Sequence, residues 1–434
     1  MQTKGKNSKK VNVVTLGCSK NLVDSENLIT QLRSAEWDAE HESSELADII
    51  VVNTCGFIDK AKEESVNTIL HYANEKDAGN IEKLYVTGCL SERYRDDLIA
   101  EMPEVDAFFG TMELPLLLNK FNVDYKQELI GERLTMTPDH YAYMKISEGC
   151  NRTCSFCAIP LMRKQHVSRT IESLVEEAKN LASRGVKEIM LIAQESTYYG
   201  LDIYKKRALP ELLTALNEVE GIDWIRLHYA YPSKFPIEII NVMKQSDHVC
   251  NYIDLPLQHA SDGVLKRMKR QITRAETQKL IDTMREIIPD IVIRTTVMVG
   301  FPGETASEFE ELKEFINHNR FDRVGVFQYS HEEGTSAYQL EDDIPEKVKI
   351  DRTNELMELQ REISNEKNAE KIGQVMKVLI DRKEGEHFYG RTVGDSPEVD
   401  NEVIIHGRDY LRIGDFAQIK ISDALDYDLI GELA

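Results

Sequence analysis

No stretch of this 434-residue sequence approaches the roughly 18 uninterrupted apolar residues that a membrane-spanning helix requires. The first ten residues, MQTKGKNSKK, are polar and basic, and no apolar run follows them, which is not the pattern of a secretory signal. We therefore predict a cytoplasmic protein with no membrane partner.

Cysteines are few, and basic residues are outnumbered by acidic ones. Seven cysteines in a reducing compartment favour metal binding or catalysis over a disulfide framework. The 53 lysines and arginines are outnumbered by 75 aspartates and glutamates, which gives a net charge of −22. This balance argues against a general nucleic-acid binder, which normally carries a basic face. It leaves either a solvated acidic surface or a basic partner.

The first part of the chain, which we assign to residues 9–125, repeats one local pattern three times. An apolar β-branched run, a turn with one cysteine and a helical period succeed one another around Cys18, Cys55 and Cys89. Such alternation predicts a parallel α/β sheet, in which the loops after the strands gather at one edge. The three cysteines are therefore expected to converge, although three unrelated buried thiols remain an alternative.

About six β/α units follow, in a domain that we assign to residues 136–366. Runs such as YAYMKIS, EIMLIAQ and IVIRTTVMVGFPGE alternate with helical segments. Six units fall short of the eight in a closed barrel, so the sequence predicts a partial (β/α)6 barrel with its sites at the carboxyl ends of the strands. The predicted class of both domains is α/β.

The end of the chain has a different pattern. A charged helix is predicted from Glu346 to about Lys371 and would work as a connector. Residues 368–434 then show short apolar runs separated by Gly and Asp turns, with no helical period. This pattern predicts a small closed all-β barrel of the kind used for binding.

The stretch EGCNRTCSFC, residues 148–157, places Cys150, Cys154 and Cys157 in a C-x3-C-x2-C spacing after a predicted strand. Three thiolates in one loop can ligate three irons of a 4Fe–4S cluster and leave the fourth iron open to a small molecule. A structural zinc ion would need a fourth ligand, for which His166 is the candidate close in sequence. The cluster is the preferred interpretation.

This spacing, with Phe156 as the aromatic before the last cysteine, resembles the signature of the radical S-adenosylmethionine (SAM) enzymes. In that family SAM chelates the open iron, and an electron from the cluster cleaves it to a 5′-deoxyadenosyl radical. The resemblance implies that Phe156 packs against the SAM adenine and that no side chain beyond the cluster ligands is catalytic. The other implied SAM contacts are Gln194, Glu195, Arg294 and the turn at residues 300–304.

Nearly the whole chain is similar to the methylthiotransferases, in which a three-cysteine domain precedes the radical SAM core and a small β-domain follows it. The resemblance implies that Cys18, Cys55 and Cys89 hold a second 4Fe–4S cluster, whose open iron carries the sulfur to be inserted. It implies two clusters and SAM as cofactors, and an electron donor such as flavodoxin or ferredoxin. The final domain corresponds to the family's TRAM domain, which is generally assigned to RNA binding.

Two substrates are known for this family: an adenosine in transfer RNA, and an aspartate of small-subunit ribosomal protein S-twelve. The spelling GCSKNLVDSE and the sequence Arg163-Lys164-Gln165 resemble the enzymes of the second group. The transfer-RNA enzymes more often have Gln–Met–Asn after the first cysteine and Arg–Gly–Arg after the third core cysteine.

Charge favours the same choice. From Lys367 to Ala434, nine lysines and arginines stand against fourteen aspartates and glutamates, a balance that would repel phosphates and attract a basic protein. The strongest basic cluster, residues 265–274, is interpreted as a solvated helix flank, with RNA contact as the alternative. We predict β-methylthiolation of an aspartate of this ribosomal protein, free or in the small subunit. Methylthiolation of transfer RNA is the alternative.

Overall fold

The computed structural model describes residues 9–45, 47–406 and 411–434, so most of the polar start discussed above lies outside the described residues. Over these ranges the chain forms a five-stranded sheet, a six-stranded sheet, a two-stranded sheet and a closed five-stranded barrel. The predicted fold class is confirmed. None of the helices that the structure describes combines the length and apolar character needed to cross a bilayer.

The N-terminal sheet is parallel throughout, with strand order β2-β1-β3-β4-β5. Its elements are β1 (Lys10–Thr15), α1 (Ser19–Ser34), β2 (Asp38–His41), β3 (Ile49–Thr54), α2 (Asp59–Asp77), β4 (Lys83–Gly88), α3 (Cys89–Glu101), β5 (Ala107–Phe108) and α4 (Leu114–Asn119). The strands β1, β3 and β4 are neighbours, so the loops that follow them leave the sheet side by side. The sequence pattern did not reveal β2 and β5, because one is polar and the other has two residues.

The core sheet is also parallel, and its order β13-β12-β11-β10-β9-β6 shows that each β/α unit adds a strand on the same side. Its elements are β6 (Tyr141–Lys145), β7 (Ser147–Glu148), α5 (Ile159–Arg163), β8 (Val167–Ser168), α6 (Ile171–Ser183), β9 (Glu188–Ile192), α7 (Leu209–Asn217), β10 (Trp224–Leu227), α8 (Glu238–Gln245), β11 (Val249–Asp254), α9 (Asp262–Arg267), α10 (Arg274–Ile287), β12 (Val292–Val299), α11 (Ala306–Asn319) and β13 (Arg323–Gln328). The six strands of this sheet form the predicted partial barrel.

Apolar side chains of the helices pack against one face of the core sheet and form the largest buried cluster of the molecule. Fully buried members from both layers include Leu181, Leu191, Leu212, Leu227 and Ile281. Local sequence signals set two of the helix starts. Thr273 with Glu276, and Thr305 with Glu308, form capping boxes that satisfy the first backbone N–H groups of α10 and α11.

The C-terminal part consists of a connector helix and a barrel. Its elements are α12 (Glu346–Ala369), β14 (Val375–Glu384), β15 (His387–Thr392), β16 (Val403–His406), β17 (Phe416–Ala424) and β18 (Leu429–Leu433). The barrel closes around buried side chains that include Val378, Phe388 and Ile419. The connector ends two residues before the predicted Lys371.

Acidic residues between β15 and β16 reach into the partial barrel. Asp395 pairs with Arg323, and Asp400 pairs with Arg294 at 3.3 Å and accepts a hydrogen bond from the Tyr252 hydroxyl at 2.7 Å. These carboxylates are neutralised inside the molecule by basic groups of the core. The net charge of the final domain therefore overstates how acidic its outer surface is, and the argument that it attracts a basic protein is weakened.

A buried ion triad ties the same two domains together. Glu188, at the start of β9, accepts hydrogen bonds from Arg226 Nε at 2.7 Å and from Arg391 Nη1 at 2.6 Å. All three side chains are at most 2% exposed. Arg226 and Glu188 belong to the core and Arg391 belongs to the final barrel, so the triad fixes one domain on the other.

Candidate functional site

Cys18, Cys55 and Cys89 lie at the carboxyl ends of three neighbouring strands, as the repeated sequence pattern predicts. Cys18 precedes α1, Cys55 follows β3, and Cys89 is the first residue of α3. Because β1 pairs with β3 and β3 pairs with β4, the three thiols lie at one edge of the sheet although they are far apart in sequence.

Two glycines allow the three loops to approach one another closely. Gly17 has a φ of +93°, and a Cβ there would lie 2.9 Å from the Sγ of Cys55. Gly88 has a φ of +99°, and a Cβ there would lie 2.5 Å from the carbonyl oxygen of Thr54. Positive φ and the lack of space both require glycine at these positions, and any side chain would push the cysteine loops apart.

Buried polar side chains fix the same loops. Asn21 donates to the carbonyl oxygens of Leu16 at 2.7 Å and of Thr54 at 3.0 Å, which joins the loops after β1 and β3. Arg163 donates from Nε to the Sγ of Cys89 at 3.3 Å and also contacts the Asn21 side chain. Arg163 comes from α5 of the core, so the second domain contributes directly to the first cysteine site.

The same arginine leads to the second site through a buried charge network. Arg163 donates to Asp24 at 2.7 Å and to Glu148 at 3.2 Å, and Lys145 and Gln194 also donate to Glu148. Burial alone would raise the pKa of Glu148, but Lys145 and Arg163 lower this pKa to about 2. Glu148 is therefore ionised at neutral pH, and it lies two residues before Cys150.

Cys150, Cys154 and Cys157 occupy the loop between β7 and α5. The Sγ of Cys150 accepts a hydrogen bond from the Arg152 backbone at 3.4 Å. The Sγ of Cys154 accepts one from Arg270 Nη1, also at 3.4 Å. Each cysteine trio thus has one sulfur bonded to an arginine guanidinium.

Sequence reasoning missed the role of Arg270. It lies in the basic cluster at residues 265–274, but its side chain is 4% exposed and its guanidinium lies 4.1 Å from the Tyr231 ring centroid. The interpretation of this cluster as a solvated flank is wrong for Arg270. The residue follows α9, and the turn at Lys269, with a φ of +57°, breaks the helical period on which the interpretation depended.

Two of the predicted SAM contacts already have full sets of partners. Both carboxylate oxygens of Glu195 are occupied, one by Arg152 at 2.9 Å and the other by the backbone of Thr197 at 2.8 Å. Arg294 donates to Asp254 at 3.0 Å and pairs with Asp400. Their contacts with SAM stay predictions, which would require these pairs to rearrange.

The other predicted SAM contacts are Phe156, Gln194 and the turn at residues 300–304, and each has a different environment. Phe156 packs in a partly buried position against an apolar cluster that includes Met268 and Phe301. Gln194 lies two residues after the end of β9, and its Oε1 is buried with no hydrogen-bond partner among the residues that the structure describes. An unpaired buried acceptor is costly, and it suits a donor such as the SAM amino group. In the turn at residues 300–304, the backbone N–H of Gly300 donates a hydrogen bond to the side-chain carboxylate of Glu304 at 2.8 Å.

The donor sets fit iron–sulfur clusters better than a zinc ion. Within the described ranges no three Cys, His, Asp or Glu side chains come close enough together to ligate a single ion. Zinc gathers four ligands around one atom, whereas a 4Fe–4S cluster distributes its thiolates over separate irons. The Nε2 of His166 is occupied by the Ser168 hydroxyl at 3.0 Å, and its Nδ1 is buried with no hydrogen-bond partner among the described residues.

Cys18 ionises more readily than Cys89 or Cys157. Burial raises the pKa of Cys89 to about 11 and that of Cys157 to about 12. Desolvation also opposes ionisation of Cys18, but Lys20 and Arg163 more than offset it and lower the pKa of this thiol.

In the cluster-free protein at pH 8, we expect iodoacetamide to alkylate Cys18 at least about tenfold faster than Cys89 or Cys157, because the thiolate is the reactive form. Time-resolved peptide mass spectrometry measures the three rates. Raising the pH to 10 should reduce the ratio of the Cys18 alkylation rate to the other two rates, since Cys89 and Cys157, whose pKa values are raised, ionise further. Equal rates at pH 8 would contradict the assigned order of pKa values.

The partial barrel and the three-cysteine loop after its first strand define a radical SAM enzyme, here with an added cysteine-bearing α/β domain. Residues 144–316 match the radical SAM superfamily, residues 10–110 match "Uncharacterized protein family UPF0004", and residues 372–434 match the TRAM domain. Solved structures share the fold. The radical SAM methyltransferase TsrM from Kitasatospora setae is 14% identical, with a TM-score of 0.55 over 74% of this chain and 73% of that one. The cobalamin-dependent SAM radical enzyme OxsB is 12% identical, with a TM-score of 0.53 over 76% of this chain and 54% of that one.

Curated relatives are much more similar. "Ribosomal protein uS12 methylthiotransferase RimO" of Cytophaga hutchinsonii is 58% identical over 100% of both chains. The protein of the same name from Flavobacterium johnsoniae is 59% identical over 100% of both chains. That from Bacteroides fragilis is 54% identical over 98% of this chain and 99% of its own. The chain belongs to the RimO family of methylthiotransferases.

Proposed function

We propose that this protein methylthiolates the β-carbon of an aspartate in ribosomal protein uS12, the protein S-twelve considered above. One observation carries the proposal: two three-cysteine sites in different domains are joined by a single buried arginine. Arg163 donates to Cys89 of the first site and to Glu148, which lies beside Cys150 of the second. Two sites in such proximity suit a reaction that brings sulfur from one site to a radical generated at the other.

Each trio would hold a 4Fe–4S cluster through three thiolates. The proposed ligands are Cys18, Cys55 and Cys89 for the first cluster and Cys150, Cys154 and Cys157 for the second. When bound, the second cluster would pass an electron to SAM to give the hydrogen-abstracting radical, another SAM would supply the methyl group, and the first cluster would carry the sulfur. The chain itself would orient them: Arg163 and Arg270 each donate to one proposed ligand sulfur, and Oε1 of Gln194, which has no hydrogen-bond partner among the described residues, would accept a hydrogen bond from SAM.

The docking of the two domains would also exclude water from the space between the sites. Glu332, in the loop after β13, is 3% exposed and binds Arg93 at 2.7 Å and Lys62 at 3.0 Å. Both basic residues come from helices of the N-terminal domain. A radical intermediate requires such protection, because an enclosed site prevents side reactions.

Other partners of the reaction follow from the same chemistry. Reduction of a cluster requires an external one-electron donor, for which we propose a flavodoxin or a ferredoxin. The assembled small subunit is a candidate substrate beside free uS12, and a ribosomal substrate agrees with the predicted cytoplasmic location.

An anaerobic assay with the fully loaded protein, SAM and reductant tests the proposal. Free uS12, small ribosomal subunits and transfer RNA are offered separately, and mass spectrometry detects an added methylthio group. We expect the group on an aspartate of uS12. Modification of transfer RNA without modification of uS12 would contradict the proposal and support the alternative, as would tight transfer-RNA binding with a steep salt dependence.

A further inference from the structure

Lys20 is a buried cation without a carboxylate partner among the described residues. It lies in the first turn of α1, two residues after Cys18, and is 7% exposed. Its Nζ lies 3.3 Å from the centroid of the Tyr229 ring. Among the described residues, no carboxylate oxygen lies within the 4.0 Å that defines an ion pair with this Nζ. Lysine is almost never buried in this way unless it is paired, because desolvating its charge is costly.

Tyr229 presents its ring from the carboxyl end of the core sheet. It follows β10 and has a φ of +59°, an uncommon conformation for a bulky residue. Two backbone hydrogen bonds hold it there: its N–H donates to Asp254 at 3.0 Å, and its carbonyl oxygen accepts from Ser196 at 3.1 Å. Backbone strain of this kind is concentrated at functional sites. Lys20 therefore lies where the first cysteine site meets the open end of the partial barrel.

The neighbouring carboxylates are paired with other cations. Asp24, one turn along the same helix, already pairs with Lys145 and with Arg163. Glu148 is shared between the same two cations. Three buried or half-buried cations thus stand against two carboxylates between the cysteine sites. Among these three cations, Lys20 is the one that no described carboxylate contacts, and its N–H donors suit a ligand that brings a carboxylate.

We propose that Lys20 binds the side-chain carboxylate of the substrate aspartate, and that this contact selects aspartate over neutral residues. The inference rests on the proposed function. An ammonium held on an aromatic face keeps its N–H donors for a ligand on the other side, where a carboxylate can accept them. An ion pair there would hold the adjacent β-carbon between the two cysteine sites. Asparagine at the target position, or the base of an adenosine, could not make the ion pair.

The test compares Lys20→Met, Lys20→Arg and wild type, each fully loaded with clusters, in binding to uS12. Each protein is also measured against uS12 in which the target aspartate is replaced by asparagine. Wild type should prefer the aspartate form by about ten- to a hundredfold, the range expected for a hydrogen bond to a charged group. Methionine is similar in length but uncharged, so Lys20→Met should reduce the ratio to about 1, and Lys20→Arg should keep most of it. Lys179→Met, at an exposed position on α6, is the matched control and should behave as wild type.

The outcomes separate two roles for this lysine. An unchanged preference in Lys20→Met, or a changed paramagnetic resonance spectrum of the first cluster with an unchanged preference, would overturn the proposal and assign Lys20 to the cluster. Wild type that binds uS12 without preferring aspartate would also overturn it and leave the proposed function standing. Wild type that neither binds nor modifies uS12 would overturn the proposed function and this inference together.

Discussion

Replacing Cys89 with alanine is expected to lower the iron content from about eight to about four atoms per chain, because one of two 4Fe–4S clusters loses a ligand. Methylthio transfer to uS12 should fall to background. Cleavage of SAM to 5′-deoxyadenosine should persist, since Cys150, Cys154 and Cys157 lie in another domain and are unchanged. Iron analysis, chromatography of 5′-deoxyadenosine and mass spectrometry of uS12 measure the three quantities.

Two other cysteine variants sharpen this result. Cys154→Ala should abolish both SAM cleavage and transfer. Cys250→Ala is the control, because Cys250 is also a buried cysteine, at 2% exposed, but belongs to neither trio and packs beside Trp224 and Tyr252. It should keep both clusters and full activity. Retention of transfer in Cys89→Ala, or loss of iron in Cys250→Ala, would contradict the assignment of the trios.

The largest effect on stability is expected from Glu188→Ala. The change leaves the guanidiniums of Arg226 and Arg391 buried without their shared carboxylate, although Arg391 keeps Asp381 at 2.7 Å. Breaking a buried pair by removing one partner costs about 3–5 kcal/mol. We expect the free energy of unfolding to fall by about this amount, measured by anaerobic chemical denaturation. Protease should also release the final barrel from the core more readily, since Arg391 connects the two.

A surface ion pair of the final barrel provides the control. Glu384 pairs with Arg382, and the two side chains are 58% and 40% exposed. Removing an exposed pair changes the free energy of unfolding by about 1 kcal/mol or less. The free energy of unfolding of Glu384→Ala should therefore be close to that of wild type. Equal losses in the two variants would show that the triad does not hold the domains together.

The sequence was informative where local pattern and function coincide. Buried parallel strands are continuous apolar runs, so a cysteine directly after each of three runs could be placed at one sheet edge before the structure was known. The C-x3-C-x2-C loop needed no tertiary information, because its three thiols lie within eight residues. The closed final barrel was predictable for the same reason, since turns and short strands alternate along it.

Side chains whose roles depend on long-range pairing could not be predicted. Arg163 lies on a five-residue helix and reaches a cysteine 74 positions away. Asp395 and Asp400 look like part of a solvated acidic face, yet both are bound inside the partial barrel. Lys20 follows a cysteine in sequence, but only the position of Tyr229 shows that its charge is buried. In each case the partner comes from another domain.

Paramagnetic resonance of the reduced, fully loaded protein, with SAM isotopically labelled at its amino nitrogen, tests most directly whether a three-cysteine cluster keeps an iron open for SAM. We predict signals from two clusters and a hyperfine coupling between the label and one of them. The coupling should survive in Cys89→Ala and vanish in Cys154→Ala. A single cluster, or no coupling to the label in wild type, would contradict this arrangement.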